Sequence, residues 1–254
     1  MGQVEKYLLE KIKQEGAIHL TLIDPDKESP ESGAKVAREA ESGGTAAIMI
    51  GGSTATSTQH VDALITAIKK VTKIPVIIFP SNVFSVSQYA DAIWFMSLLN
   101  SYNPYFIIEA QALGAPLIKK YNLEPLPMGY IIVGEGGTAG YIGQAHPIPY
   151  NRPEIAALYA LAAQYLGMRF VYLEAGSGAK HPVPPEMVAK VRQLIDITTV
   201  VGGGIRTGTD AAKIVEAGAD AIVTGTVVEK TVSVTQKISE ITNGIRIALN
   251  KRIR

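Results

Sequence analysis

The chain has 254 residues, 47% of them hydrophobic, with a formal net charge of +1 and no cysteine. That length holds one large α/β domain or two small ones, and scattered near-neutral charge lacks the basic footprint of a nucleic-acid-binding protein, so nucleic acid is excluded as an expected partner. Without cysteine there is no disulfide framework, thiolate metal site or cysteine nucleophile, which is compatible with a reducing cytoplasm, the expected location, or a hot one.

The chain opens on a charged, amphipathic stretch, "MGQVEKYLLEKIKQEG", which has no apolar core before a small-residue cleavage site and does not read as a signal peptide. Its uncharged segments are broken by Ser, Asn and Pro, so no transmembrane span is expected. From there short apolar runs alternate with helical ones. The strands are predicted at "AIHLTLI", "AAIMI", "PVIIF", "AIWFM", "GYIIV", "RFVYLEA", "TTVVGG" and "AIVTG". The helices between them are predicted at "SGAKVAREAES", "TQHVDALITAIKKV", "SQYAD", "YFIIEAQALGAPLIKKYN", "RPEIAALYALAAQYLG", "PPEMVAKVRQLI", "GTDAAKIVEAG" and "SVTQKISEITNGIRIALN". The third, "SQYAD", is short enough to be little more than a turn.

Continuous apolar strands, rather than alternating ones, are what parallel strands buried on both faces require. Eight of them in strict βα alternation imply an α/β fold, a closed (β/α)8 TIM barrel forming a single domain over residues 1–254, with a doubly wound open sheet as the alternative. An echo between "ESGGTAAIMIGGS" and "EAGADAIVTGT" supports the barrel. Residues 136–151, "GGTAGYIGQAHPIPYN", are too long for an ordinary βα connection; they read either as a passive excursion or as a lid or subunit contact carrying Tyr141.

Barrel topology gathers the residues just past each strand at one mouth. Glycine-rich turns follow strands two, six, seven and eight, including "EAGSG", "GGGIRTG" and "GTVV". Glycine lets backbone N–H groups approach an anion, and turns after strands seven and eight stand at the usual phosphate position of such barrels. The bland reading is that Gly203, Gly204 and Gly225 only permit tight turns; the serine of "GSG" and Thr226 add hydroxyl donors at the same place. Arg206 either helps neutralise the phosphate or is a structural surface arginine.

Asp24 ends strand one before a proline. A carboxylate there can ligate Mg²⁺, with Ser53 as a second oxygen ligand and a diphosphate supplying others, or it can simply form the turn; Asp26 is able to take its place. Glu174, at the end of strand six, can accept a proton from a substrate hydroxyl or only hold the turn amides. The four histidines are too dispersed for a zinc motif, and His19 reads as structural. Trp94, a large aromatic in a strand, reads as core.

In this order, "HLTLIDPDK", "IMIGGST", "VYLEAGSG", "VGGGIR" and "VTGT" resemble the geranylgeranylglyceryl phosphate synthase family over nearly the whole chain. The resemblance implies a (β/α)8 prenyltransferase of archaeal membrane phospholipid biosynthesis. In that reaction the 3-hydroxyl of sn-glycerol 1-phosphate takes the geranylgeranyl group of geranylgeranyl diphosphate, forming an ether and releasing diphosphate. It implies Mg²⁺ at Asp24 and Ser53, and glycerol 1-phosphate at Tyr172, Leu173, Glu174, Ala175, Gly176, Ser177 and Gly178, at Gly203 and Gly204, and at Gly225 and Thr226. Within that set Glu174 is implied as the base on the glycerol hydroxyl. A homo-oligomer, dimer or hexamer, is expected on the resemblance alone. Strand four and "YNPYFII" are apolar enough to line a prenyl groove, where Trp94 would limit chain length. The competing readings are a relative using a longer, C35 prenyl diphosphate, a phosphate-binding isomerase or lyase barrel, for which Lys27 is the one candidate reactive group at a strand end, and a non-catalytic phosphate-binding barrel.

Overall fold

The computed structural model describes residues 1–52, 57–229 and 231–252. Its strands are β1 (Ile18–Ile23), β2 (Ala47–Ile50), β3 (Val76–Ile78), β4 (Ala92–Leu98), β5 (Glu124–Ile132), β6 (Phe170–Glu174), β7 (Thr198–Gly202) and β8 (Ala221–Thr224). They pair in parallel in chain order, and β8 returns to β1 with Ile18 opposite Ala221 and Thr21 opposite Thr224, closing the barrel. That closure establishes the (β/α)8 barrel and removes the open-sheet alternative.

Alternate residues on each strand face opposite ways, and both sets are apolar. Leu20, Met49, Trp94, Met128, Phe170 and Val200 pack together inside the barrel. Ile48, Ile78 and Ile93 on one side, and Val171, Leu173 and Val201 on the other, lie in the clusters between sheet and helices. This double burial is why the strands read as unbroken apolar runs.

The outer layer comprises α2 (Pro30–Ser42), α3 (Thr58–Lys69), α4 (Ala110–Lys120), α6 (Pro153–Tyr165), α7 (Pro185–Arg192), α8 (Gly208–Glu216) and α10 (Val234–Arg252), with two short helices, α5 (Gly137–Ile142) and α9 (Thr226–Glu229), at the mouth. Helix α1 (Gln3–Glu15) plugs the opposite end, its Val4 and Leu8 joining the interior cluster. Its first amides are capped from afar: Val4 and Glu5 N–H donate to the Glu124 carboxylate at 2.8 and 2.9 Å. Glu5 is itself fully buried and paired with Arg169, whose Nη2 donates at 2.7 Å.

Three connections depart from regular βα geometry. "SQYAD" forms no helix; the β3–β4 connection has a single 3₁₀ turn, Val83–Ser85, started by the Asn82 side chain accepting the Phe84 amide at 2.8 Å. The outer face of β4 is packed instead by Val86 of this connection and by Ile118 of α4, both clustered with Ile93. The helix predicted from Tyr105 begins as a π-helical turn, Tyr105–Glu109, before becoming α4. Residues 136–151 contain α5 and are anchored by Asn100, whose amide nitrogen donates to the carbonyls of Ile132 and His146 at 2.8 Å each. The segment is thus a built part of the mouth rather than a bare excursion, and Tyr141 on it is 85% exposed.

Candidate active site

Strand β6 points Phe170, Tyr172 and Glu174 inward, so the last of these places a carboxylate where the barrel opens. Glu174 is only 6% exposed. One oxygen accepts the Gly176 N–H at 2.6 Å, and the other accepts the Tyr130 hydroxyl at 3.2 Å. Burial pushes its carboxyl above the ordinary glutamate range, while the Gly176 amide and the Tyr130 and Tyr172 hydroxyls pull it partly back. A carboxylate in that condition is a stronger base than an exposed one, and its donors favour the anion.

The turns after β6, β7 and β8 do meet. The Ser177 and Thr226 hydroxyls are 3.1 Å apart, joining the sixth loop to the start of α9. Gly203, at φ +83°, leaves no room for a side chain: a Cβ there would lie 2.5 Å from a Glu174 oxygen and 2.7 Å from the Gly176 nitrogen. Only glycine satisfies both the left-handed backbone and the contact, so the seventh loop can close against the sixth. Gly225 and Ser177 both face the groove at the mouth. The cluster presents hydroxyls, amides and the N-terminal side of a short helix to one region, a chemistry suited to phosphate.

Across the mouth, Asp24 accepts the Asp26 amide on Oδ1 at 3.0 Å, so it is a turn former, yet its carboxylate still faces the groove. Gly52 abuts it; a Cβ there would be 2.6 Å from Oδ1. Lys27, although exposed, turns its ammonium onto the mouth. Its ammonium is 3.4 Å from Asp24 Oδ2 and 3.0 Å from both oxygens of Glu229. Burial works against that ammonium, but Glu229 and Asp24 outweigh it and hold its pKa above the ordinary lysine value. Ser53 lies outside the described residues.

From this mouth a groove open to solvent runs past Phe79, Trp94 and Met96 to Val83, Phe106 and Ile118. It passes between β4, α4 and the β3–β4 connection, so Ile93 and Phe95 also line it. Trp94 is 1% exposed, edge-on to Phe170 at 5.1 Å, and its indole N–H has no partner. It is both core and wall.

Other candidates fall outside the site. Arg206 donates to the carbonyls of Ala179 and Lys180 at 2.6 and 3.0 Å, bracing the sixth loop from outside, which is the structural alternative. His19 lies on the outer side of β1, bonded to Thr45 at 3.0 Å and Thr224 at 2.9 Å, and burial lowers its pKa to about 3. Among the described residues no group of three or more His, Asp or Glu could hold a metal by itself. Sequence reasoning missed Tyr130 and Glu229. Tyr130 was legible as an inward position of the fifth strand; Glu229 had no local signal, since its partner is 202 residues away.

The family model described as the PcrB family matches residues 10–245. The chain belongs to the PcrB family. Among the family's relatives, the geranylgeranylglyceryl phosphate synthase of Thermococcus gammatolerans is 54% identical over 250 residues, covering 97% of this chain and 99% of that one. The same-named protein of Thermofilum pendens is 50% identical over 253 residues, covering 100% and 99%. The crystal structure of (S)-3-O-geranylgeranylglyceryl phosphate synthase from Thermoplasma acidophilum, in complex with its substrate sn-glycerol-1-phosphate, superimposes with a TM-score of 0.94 at 43% identity, covering 97% of this chain and all of that one. The PcrB relatives thus extend over the whole barrel, mouth and groove included.

Proposed function

We propose that this PcrB-family chain is a geranylgeranylglyceryl phosphate synthase, joining the 3-hydroxyl of sn-glycerol 1-phosphate to the geranylgeranyl group of geranylgeranyl diphosphate. The observation that carries the reading is the position of Glu174: a buried carboxylate beside the Ser177–Thr226 pocket, in a barrel that superimposes on one bound to sn-glycerol-1-phosphate.

Phosphate bound by the turns of Ser177, Gly203 and Thr226 would hold the glycerol with its free hydroxyl toward Glu174. Tyr172, Leu173, Ala175, Gly176, Gly178, Gly204 and Gly225 complete the binding stretch in this reading. Glu174 takes the hydroxyl proton as the oxygen bonds to the allylic carbon and the carbon–diphosphate bond breaks. The Gly176 amide and Tyr130 hydroxyl fix the carboxylate and stabilise it as an anion until the alcohol arrives. The apolar groove holds the C20 chain, whose burial is worth roughly 0.8 kcal/mol per CH₂. Trp94 closes the inner end of that groove and sets the chain length.

Asp24 is the residue we assign to Mg²⁺, with Ser53 as the expected second ligand. The fit rests on two features: a place beside the carboxylate that a Cβ at position 52 would fill, and an ammonium already drawn to the same carboxylate. When bound, Mg²⁺ supplies charge neutralisation for the leaving diphosphate. We also place the enzyme in the cytoplasm as a homo-oligomer, dimer or hexamer, with exposed Tyr141 as a contact residue; among the described residues no helix is long and apolar enough to cross a membrane.

The test is Mg²⁺-dependent transfer of labelled geranylgeranyl diphosphate to sn-glycerol 1-phosphate, with sn-glycerol 3-phosphate and a C35 diphosphate alongside. Preferential C20 transfer to the 1-phosphate supports the reading; preference for C35 favours the longer-chain enzyme, and no transfer to either contradicts both.

A further inference from the structure

Asp24 and Glu229 stand at opposite ends of the chain, after β1 and in α9, and both line the groove mouth. One ammonium, that of Lys27, bridges them. One of the two negative charges is thereby compensated without any metal, and Asp24 Oδ2, the oxygen not taken by the Asp26 amide, is the one the lysine faces. Lys27 is attached more closely to Glu229, at 3.0 Å through both oxygens, than to Asp24, at 3.4 Å. Its side chain is 49% exposed against 18% for Glu229, so the lysine is the partner free to move and the glutamate is the fixed one.

We propose that Lys27 is the resting counter-ion of Asp24 and a diphosphate-binding residue in turn: it occupies the aspartate while the site is empty and moves to the prenyl diphosphate when a divalent cation takes its place, with Glu229 as the carboxylate that keeps it at the mouth throughout. The inference rests on the transferase reading of this site. A divalent cation at Asp24 Oδ2 repels and competes with the ammonium that faces the same oxygen, and a compact ammonium on a four-carbon stem can change partner by rotation about its own bonds. The exchange leaves the site with compensating positive charge both before and after the diphosphate enters. It also explains why a glutamate, otherwise unfavourable beside a polyanion, stands at this mouth.

Manganese binding to substrate-free protein, followed by the paramagnetic resonance signal of free Mn²⁺, tests the competition. Lys27→Met removes the competing ammonium and binds Mn²⁺ several-fold more tightly than the parent; Glu229→Gln leaves the lysine with Asp24 alone and binds it more weakly. Because net charge changes in the same sense, a crystal structure with Mg²⁺ and inorganic pyrophosphate supplies the second measurement. There Lys27 Nζ contacts a pyrophosphate oxygen and has left Asp24. A Lys27→Met protein that binds Mn²⁺ no better than the parent, or an ammonium still on Asp24 in the pyrophosphate complex, overturns the proposal. Binding of sn-glycerol 1-phosphate to the same samples, retained in all three proteins, distinguishes that failure from failure of the transferase reading.

Discussion

The hydroxyls of Ser177 and Thr226 lie 3.1 Å apart, although 49 positions separate the residues in the chain. Closure of the barrel brings the sixth and eighth loops together and sets two hydroxyls from different loops side by side, where the proposed phosphate site would use both as donors. Removing either hydroxyl deletes a hydrogen bond to a charged group, worth roughly 1.5–3 kcal/mol. Ser177→Ala and Thr226→Ala should therefore each raise the KM for sn-glycerol 1-phosphate by about ten-fold or more, with the KM for the prenyl diphosphate unchanged, as read from initial rates with each substrate varied in turn.

Glu174 must be ionised to accept a proton, and burial holds its pKa above the ordinary glutamate range. The rate should consequently fall on the acid side, through a limb in kcat/KM displaced upward from where an exposed glutamate titrates. Tyr130→Phe removes a donor that favours the anion, so that limb should move to still higher pH. A pH–rate profile of both proteins checks the sign; a limb moving downward in the variant would contradict it.

The strands and glycine-rich loops were legible in the chain because each is a local pattern: apolar runs buried on both faces, and "EAGSG" or "GGGIRTG" immediately after them. Glu174 followed from its place at a strand end. The link between Lys27 and Glu229 was not legible, because it depends on which loops the closed barrel sets side by side. Arg206 carried the right charge for phosphate, yet the loop it braces left its guanidinium on the carbonyls of Ala179 and Lys180. The groove depended on the path of the β3–β4 connection, where "SQYAD" had read as a short helix or little more than a turn and the Asn82-started 3₁₀ turn instead lines the groove.

Trp94 lines the groove but donates no hydrogen bond. Trp94→Ala should shift products toward longer prenyl chains and cost about 3–5 kcal/mol of stability, as truncation of a buried aromatic does. Trp94→Phe abandons no hydrogen bond and should cost less while enlarging the groove less. Product chromatography from mixed C20, C25 and C35 diphosphates, together with denaturant unfolding, measures both effects.

His19 is buried and neutral, with a pKa of about 3 against an ordinary value near 6.5. Between those values the unfolded chain binds the proton and the folded one does not. Its contribution is complete above pH 6.5 and is lost as pH falls toward 3, at up to ~1.4 kcal/mol per pH unit. Unfolding free energies measured from pH 7 to pH 4 should fall less steeply for His19→Gln than for the parent; equal slopes would contradict a neutral buried imidazole.

The most direct test of the account is a paired measurement on Glu174→Gln: single-turnover rate of geranylgeranyl transfer, and calorimetric affinity for sn-glycerol 1-phosphate. The substitution keeps size and burial while removing the base. Loss of about 10²–10⁴ in rate with affinity within a few-fold of the parent is the predicted result. A variant that binds the glycerol phosphate and still transfers at the parent rate would contradict the role assigned to Glu174.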